Sequence, residues 1–145
     1  MGVFTKDYGE IVDTIITECD VFPAVDYSKP LPSPFHAFKV MWDTGADVCV
    51  ISKKAIKQLE LKPVDTAWVE GLHGEQEDNE YIVHVKLPTG DLVANVQATE
   101  AHSEEYDFVI GTNIINFGDF AFSNAGNRSV FSFRIPAQTH IRFDK

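Results

Sequence analysis

A single, mostly β domain is the architecture this sequence predicts, and three observations carry the prediction. Apolar residues come in short runs, many alternating with polar ones at the two-residue period of a strand. Turn-forming Gly, Pro and Asn residues separate those runs. Eleven phenylalanines, with many Val and Ile, supply the aromatic and β-branched side chains that favour strands over helices. At 145 residues the chain has room for one core and too little for two ordinary domains.

Taken in order, the elements follow from local pattern. Ile11 to Phe22 reads as a long strand, because both of its alternating sets are largely apolar. Val25 to Pro34 reads as an extended link, since Pro30, Pro32 and Pro34 remove backbone donors at alternate positions. Phe35 to Trp42 is a second strand that runs into a turn at Asp43-Thr44-Gly45-Ala46. Val48 to Ile51 is short and apolar, hence a buried strand. Ser52 is placed to cap a helix over Lys53 to Leu59, which Pro63 closes off. Between Val64 and Leu87 two strands flank a glycine-bounded tip, Gly71-Leu72-His73-Gly74. A turn at Pro88 to Asp91, a strand over Leu92 to Thr99 and an acidic loop over Ala101 to Glu105 follow. Phe108 to Ile110 is a buried strand, with a short helix expected over 112–117. Phe120 to Phe122 and Val130 to Ile135 form a terminal hairpin around Asn124 to Asn127.

Charge and composition exclude several functions. The net charge of −10 repels phosphate backbones and anionic lipid, so neither nucleic acid nor a membrane is the expected partner. No apolar run approaches the roughly 20 residues that span a bilayer, and the first ten residues lack a basic segment followed by an apolar one. The two cysteines, Cys19 and Cys49, sit inside apolar stretches and read as reduced, which places the chain in a reducing, cytoplasmic compartment. His36, His73, His84, His102 and His140 show no metal-ligand spacing. No metal or cofactor is expected, and no glycine pattern for cradling phosphate is present.

The chemistry concentrates at Asp43. Its carboxylate follows an apolar strand and precedes Gly45, which lets the backbone turn sharply and approach another chain. Thr44 offers a hydroxyl that can lock the turn. An Asp capping an ordinary strand-end turn would carry the same three letters. The surrounding residues decide between the readings. Met41 to Ser52, with Asp43-Thr44-Gly45-Ala46 at its heart, closely resembles the active-site strand and turn of retropepsin-like aspartic proteases. Phe108-Val109-Ile110-Gly111 resembles that family's second signature, and the Gly71 to Gly74 tip lies where its flap would be.

The resemblance covers about Phe35 to Phe133 and implies a retropepsin-like domain over 35–145, with residues 1–34 as an N-terminal strand and Pro-rich loop of the same domain. It implies Asp43 as catalytic carboxylate, supported by Thr44, Gly45 and Gly111. Ala46, Asp47, Gly71, Leu72, His73 and Gly74 would contact a polypeptide substrate. One feature departs from the family pattern. Retroviral members usually carry Arg after the second-signature glycine, paired with the Asp that follows the turn; here Thr112 stands in that place, and Asp47 lacks that partner.

Chemistry of this kind uses two carboxylates sharing a proton, one as base toward water and one as acid toward the carbonyl. No second Asp-Thr-Gly or Asp-Ser-Gly exists in the chain. The second carboxylate is therefore expected from another copy across a two-fold axis, making a homodimer. A dimeric peptide-binding or scaffold module with the same fold and no catalysis is the alternative, motivated by Thr112.

Overall fold

Alternation along the chain determines which faces turn inward, and the pairing follows from it. The computed structural model describes residues 2–24, 37–71 and 74–144, with side chains described outside 65–77. The strands are β1 (Gly2–Asp7), β2 (Ile16–Pro23), β3 (Ala37–Trp42), β4 (Cys49–Ile51), β5 (Asp65–Gly71), β6 (Gly74–Lys86), β7 (Leu92–Glu100), β8 (Phe108–Ile110), β9 (Asp119–Ser123) and β10 (Val130–Ile135). Two short helices, α1 (Lys53–Gln58) and α2 (Thr112–Ile115), follow β4 and β8.

Six strands close on themselves in the order β2-β3-β8-β4-β7-β6, because β2 pairs with both β3 and β6. Closure removes the exposed edges that a flat sheet would carry. Two pairings in the barrel are parallel, β3 with β8 and β4 with β7. The first of them brings the ends of two distant segments side by side: Met41 lies opposite Val109 and Trp42 opposite Ile110. Inside the barrel pack Val21, Phe38, Val40, Cys49, Ile51, Val83, Val85, Ala98, Phe108 and Ile110, all buried. Alternate residues of β3 show the two-residue period directly, with Phe38, Val40 and Trp42 buried and Lys39 and Met41 facing outward.

β5 hangs from the barrel through β6 alone, in a hairpin whose register pairs Gly71 with Gly74. That matches the expected glycine-bounded hairpin; Leu72 and His73 of its tip, and the expected link over Val25 to Pro34, lie outside the described residues.

A second sheet, β1-β10-β9, holds the two ends of the chain together. Phe131 and Phe133 of β10 are buried against the Trp42 ring at 5.0 and 4.9 Å between centroids, which welds this sheet to the end of β3. Phe4 and Phe120 also pack on Phe131.

The N-terminal expectation needs correction. The strand begins at Ile16, not Ile11, and a further strand, β1, precedes it. Residues 8–15 carry the chain from one sheet to the other, so their backbone groups bond outside a ladder. The Val12 amide donates to Ser129 Oγ at 3.0 Å, and the Ile15 carbonyl accepts from the Trp42 amide at 2.9 Å. The apolar residues at 11, 12 and 15 read as strand, but bends at Gly9-Glu10 and Asp13-Thr14 interrupt it. Elsewhere the expected elements agree to within a few residues. Ser52 caps α1 as expected, accepting from the Ala55 amide at 3.0 Å, and the Glu104 carboxylate adds a second cap on the Lys53 and Lys54 amides. Both cysteines are free thiols. Among the described residues no helix is long and apolar enough to cross a membrane.

Candidate active site

Strand β3 delivers Asp43 to the open end of the barrel. Trp42, the residue before it, is fixed on three sides: its amide donates to the Ile15 carbonyl, its indole Nε1 donates to buried Thr17 Oγ1 at 2.9 Å, and its ring packs on Phe131 and Phe133. Asp43 therefore leaves a rigid base. Its amide donates to the Ile110 carbonyl at 2.9 Å, which carries the β3–β8 pairing one residue past both strands.

The chain then turns back within three residues. Asp43 Oδ1 accepts from the Gly45 amide at 2.8 Å, and the Asp43 carbonyl accepts from the Ala46 amide at 3.3 Å. One carboxylate oxygen is thus held by the turn itself. Oδ2 has no partner among the described residues, and the side chain is half-buried. Thr44 and Gly45 are exposed, and the Thr44 hydroxyl holds no partner among the described residues, so it does not lock the turn within one chain.

Gly111 forms the floor. A Cβ there would meet the Ala46 carbonyl oxygen at 2.7 Å, the Val48 carbonyl oxygen at 2.7 Å and the Val48 carbonyl carbon at 2.8 Å. All three are backbone atoms, so only a residue without a side chain lets the two loops touch. Thr112 completes the junction. Its amide donates to the Ala46 carbonyl at 2.8 Å and its hydroxyl to the same oxygen at 3.2 Å, with Asp47 O at 3.5 Å. Behind it, Asn113 accepts from the Cys49 thiol at 3.1 Å and donates to the Gln97 carbonyl at 3.1 Å. Burial pushes the Cys49 thiol up to about 12, so it is inert where it packs.

Asp43, Thr44, Gly45, Ala46, Asp47 and Gly111 thus come together, while Gly71 and Gly74 stand on the separate β5–β6 hairpin. Asp47 is exposed, and its carboxylate has no partner among the described residues. Thr112 and Asn113 were not singled out as support from the sequence; the signal was their position directly after Gly111, where a backbone contact forces them against the turn.

Met41, two residues before Asp43, lies on the outward face of β3. A cavity of about 270 Å³ opens there, floored by Met41, Val50 and Val109 and walled by Ala101, His102 and Tyr106. A cavity of about 330 Å³ on the terminal sheet, lined by Val3 and Ile141 among others, shares no residue with the turn. Among the described residues no group of three or more His, Cys, Asp or Glu side chains is arranged to hold a metal ion.

Comparisons with known proteins agree with this geometry. Similar solved structures include a retropepsin-like aspartic protease from Rickettsia conorii, 12% identical, with a TM-score of 0.57 over 90% of this chain and 91% of the other. The EIAV protease in complex with the inhibitor HBY-793 is 17% identical, with a TM-score of 0.54 over 72% and 86%. The Simian Foamy Virus (mac) protease is 14% identical, with a TM-score of 0.50 over 71% and 93%. At these identities the likeness establishes the retropepsin-like fold. No curated protein sequence matches the chain. The family model described as "gag-polyprotein putative aspartyl protease" matches residues 35–116, more than half of the chain and the whole span from β3 through the Asp43 turn to Gly111 and α2; the protein belongs to that aspartyl protease family.

Proposed function

We propose that the protein is an aspartic endopeptidase, active as a homodimer in which each copy contributes Asp43. The observation that carries this reading is the state of the Asp43 carboxylate. It sits on a rigid strand end, with Oδ1 held by the Gly45 amide and Oδ2 open to a partner. The chain supplies one such carboxylate, so the second comes from a second copy.

Two carboxylates about 3 Å apart share one proton, since both cannot ionise easily. The ionised one takes a proton from a water held between them as its oxygen attacks the peptide carbonyl carbon. The protonated one gives its proton to the carbonyl oxygen, producing a neutral gem-diol. Collapse of the diol breaks the C–N bond, with a proton delivered to the departing nitrogen. Any pKa measured for this site belongs to the pair.

The peptide would lie extended between the Asp43 turns and the β5–β6 hairpin, bound by main-chain hydrogen bonds with side chains in alternate pockets. The open Asp47 carboxylate is available to peptide N–H groups, with Ala46 beside it and Gly71, Leu72, His73 and Gly74 as the cover. The Thr44 hydroxyl, exposed beside Asp43 and without a partner among the described residues, fits a role at the contact between copies. Residues 1–34 belong to this same unit in our reading, and neither nucleic acid nor a membrane is its partner.

Asp43→Asn tests the reading. Asn accepts the Gly45 hydrogen bond as well as Asp does, so the fold persists while every mutant dimer loses both acids. General acid–base assistance contributes about 10²–10⁴-fold, so cleavage of a peptide library at mildly acid pH falls at least that far. Specific activity of the unmodified protein also falls on dilution, as dimers part. Near-normal cleavage by the Asn variant, with contaminating protease excluded, would sink the proposal. A variant and parent that are both folded and both inert, yet bind peptide, would establish the non-catalytic module instead.

A further inference from the structure

The β5–β6 hairpin is a long arm on a narrow root. β6 runs from Gly74 to Lys86, but its pairing with β7 starts only at Glu80. Residues 74–79 pair with β5 alone. A two-stranded ribbon of this kind is marginally stable by itself, so whatever fastens its root governs how it stands.

Among the described residues, three side-chain links lie at that root. Gln97 Nε2 donates to Glu80 Oε1 at 2.6 Å, and Asn79 Nδ2 reaches Glu100 Oε2 at 3.5 Å. The outermost is the shortest contact to the free part of the arm: His102 Nε2 lies 2.9 Å from Asp78 Oδ2. The Asp78 side chain is only 7% exposed, whereas that of His102 is 56% exposed. His102 belongs to the loop after β7, and that loop is anchored away from the arm. The Ala101 amide donates to the Ile51 carbonyl at 2.8 Å, and Glu104 caps α1. His102 also walls the cavity floored by Met41, Val50 and Val109.

We propose that His102 is a positioning residue that latches the β5–β6 arm, through Asp78, to the wall of the cavity floored by Met41, Val50 and Val109. The inference rests on reading the arm as the cover over a bound peptide. Its physical basis is asymmetry. A buried carboxylate that loses a donor, here the one that Asp78 has among the described residues, bears a desolvation cost that exceeds what the hydrogen bond itself is worth. Without His102, Asp78 reaches water by lifting the arm from the barrel. His102 touches no reacting atom in this scheme; it sets how much of the time the arm is correctly placed.

Two variants test the latch, His102→Ala and His102→Gln, the latter keeping an N–H donor at similar reach. Amide hydrogen exchange is followed over β5 and residues 74–79, with the β6–β7 ladder from Tyr81 to Val83 as internal control. Arm exchange in His102→Ala is expected to quicken about tenfold, and His102→Gln to recover to within about threefold of the parent. In cleavage assays KM should rise by a similar factor in His102→Ala with kcat nearly unchanged. Arm exchange equal to the parent in His102→Ala overturns the latch, as does a fall in kcat with KM unmoved. If the control amides also loosen in His102→Ala, the Gln variant decides: protection no better than that of Ala overturns the latch. The exchange measurement needs no catalysis, so the two readings fail separately. A parent that cleaves nothing, with an arm that loosens in His102→Ala, removes the protease and keeps the latch; a cleaving parent with an unaltered arm does the reverse.

Discussion

Replacing Gly111 with Ala perturbs the site through one methyl group. Gly111 has φ −97° and ψ −175°, which an alanine adopts without strain, so any effect is steric rather than conformational. The added Cβ would stand 2.7 Å from two carbonyl oxygens, of Ala46 and Val48, neither of which can rotate away. Relief requires the β8 end and the 46–48 segment to part by roughly 0.5 Å, enough to forfeit much of their dispersion contact. Overpacking of this kind costs about 1–3 kcal/mol. Stretching the two hydrogen bonds across the same seam, Asp43 N to Ile110 O and Thr112 N to Ala46 O, adds about 1 kcal/mol each at most. A loss of about 3–4 kcal/mol is expected. Urea unfolding at fixed protein concentration, with m of about 2 kcal/mol/M, would show the midpoint falling by about 1.5–2 M. Gly45→Ala is the control: its Cβ meets only Asp43 Oδ1, at 3.2 Å, so the fold should hold while the carboxylate shifts. A Gly111→Ala midpoint within about 0.3 M of the parent would refute the argument that backbone contact demands glycine there.

Trp42→Phe removes the indole donor to buried Thr17 and thins the contact with Phe131 and Phe133, so a loss of about 2–3 kcal/mol is expected in the same unfolding assay. Thr112→Val keeps the amide bond to Ala46 and removes only the hydroxyl's longer contacts; stability should change by about 1 kcal/mol or less, and a much larger loss would make the hydroxyl the main tie. Burial raises the Cys19 and Cys49 thiols from 9.0 to about 12. The folded state thus keeps protons that the unfolded chain releases, so stability is full below about pH 9 and falls as pH climbs toward 12. The slope approaches about 1.4 kcal/mol per pH unit per thiol, and a Cys49→Ala variant should lose its share of it. An equal alkaline slope in that variant would dissociate the thiols from the effect.

Sequence pattern exposed most of the barrel because its strands carry their burial in their alternation. Phe35 to Trp42 reads as a strand from its pattern, and the Asp43 turn and Gly111 stand out through the resemblance of their segments to the aspartic protease signatures. β1 was missed for the same reason in reverse. Its inward positions are Gly2, Phe4 and Lys6, a single apolar side chain among three, and its strand character comes from pairing with β10 at the far end of the chain. The over-long reading of the next strand came from apolar residues at 11, 12 and 15, of which Val12 bonds to Ser129 and Ile15 to Trp42 instead of to a continuous ladder. The His102–Asp78 contact was also invisible, since it joins residues 24 positions apart through a loop whose path depends on Ile51 and α1.

The Thr112 departure shows how the junction manages without an ion pair. In the retroviral pattern a guanidinium would bind the acid after the turn, an interaction between side chains. Here the tie runs from the Thr112 amide and hydroxyl to the Ala46 carbonyl, an interaction with the backbone of the turn. Backbone anchoring fixes where the loop sits regardless of charge, and it leaves Asp47 exposed with its carboxylate uncommitted among the described residues. Thr112 thus leaves the acid after the turn, Asp47, without the arginine partner of the retroviral pattern. A rigid turn is thus compatible with Thr112 in place of an arginine, because Gly111 and Thr112 hold the turn through contacts with its main chain.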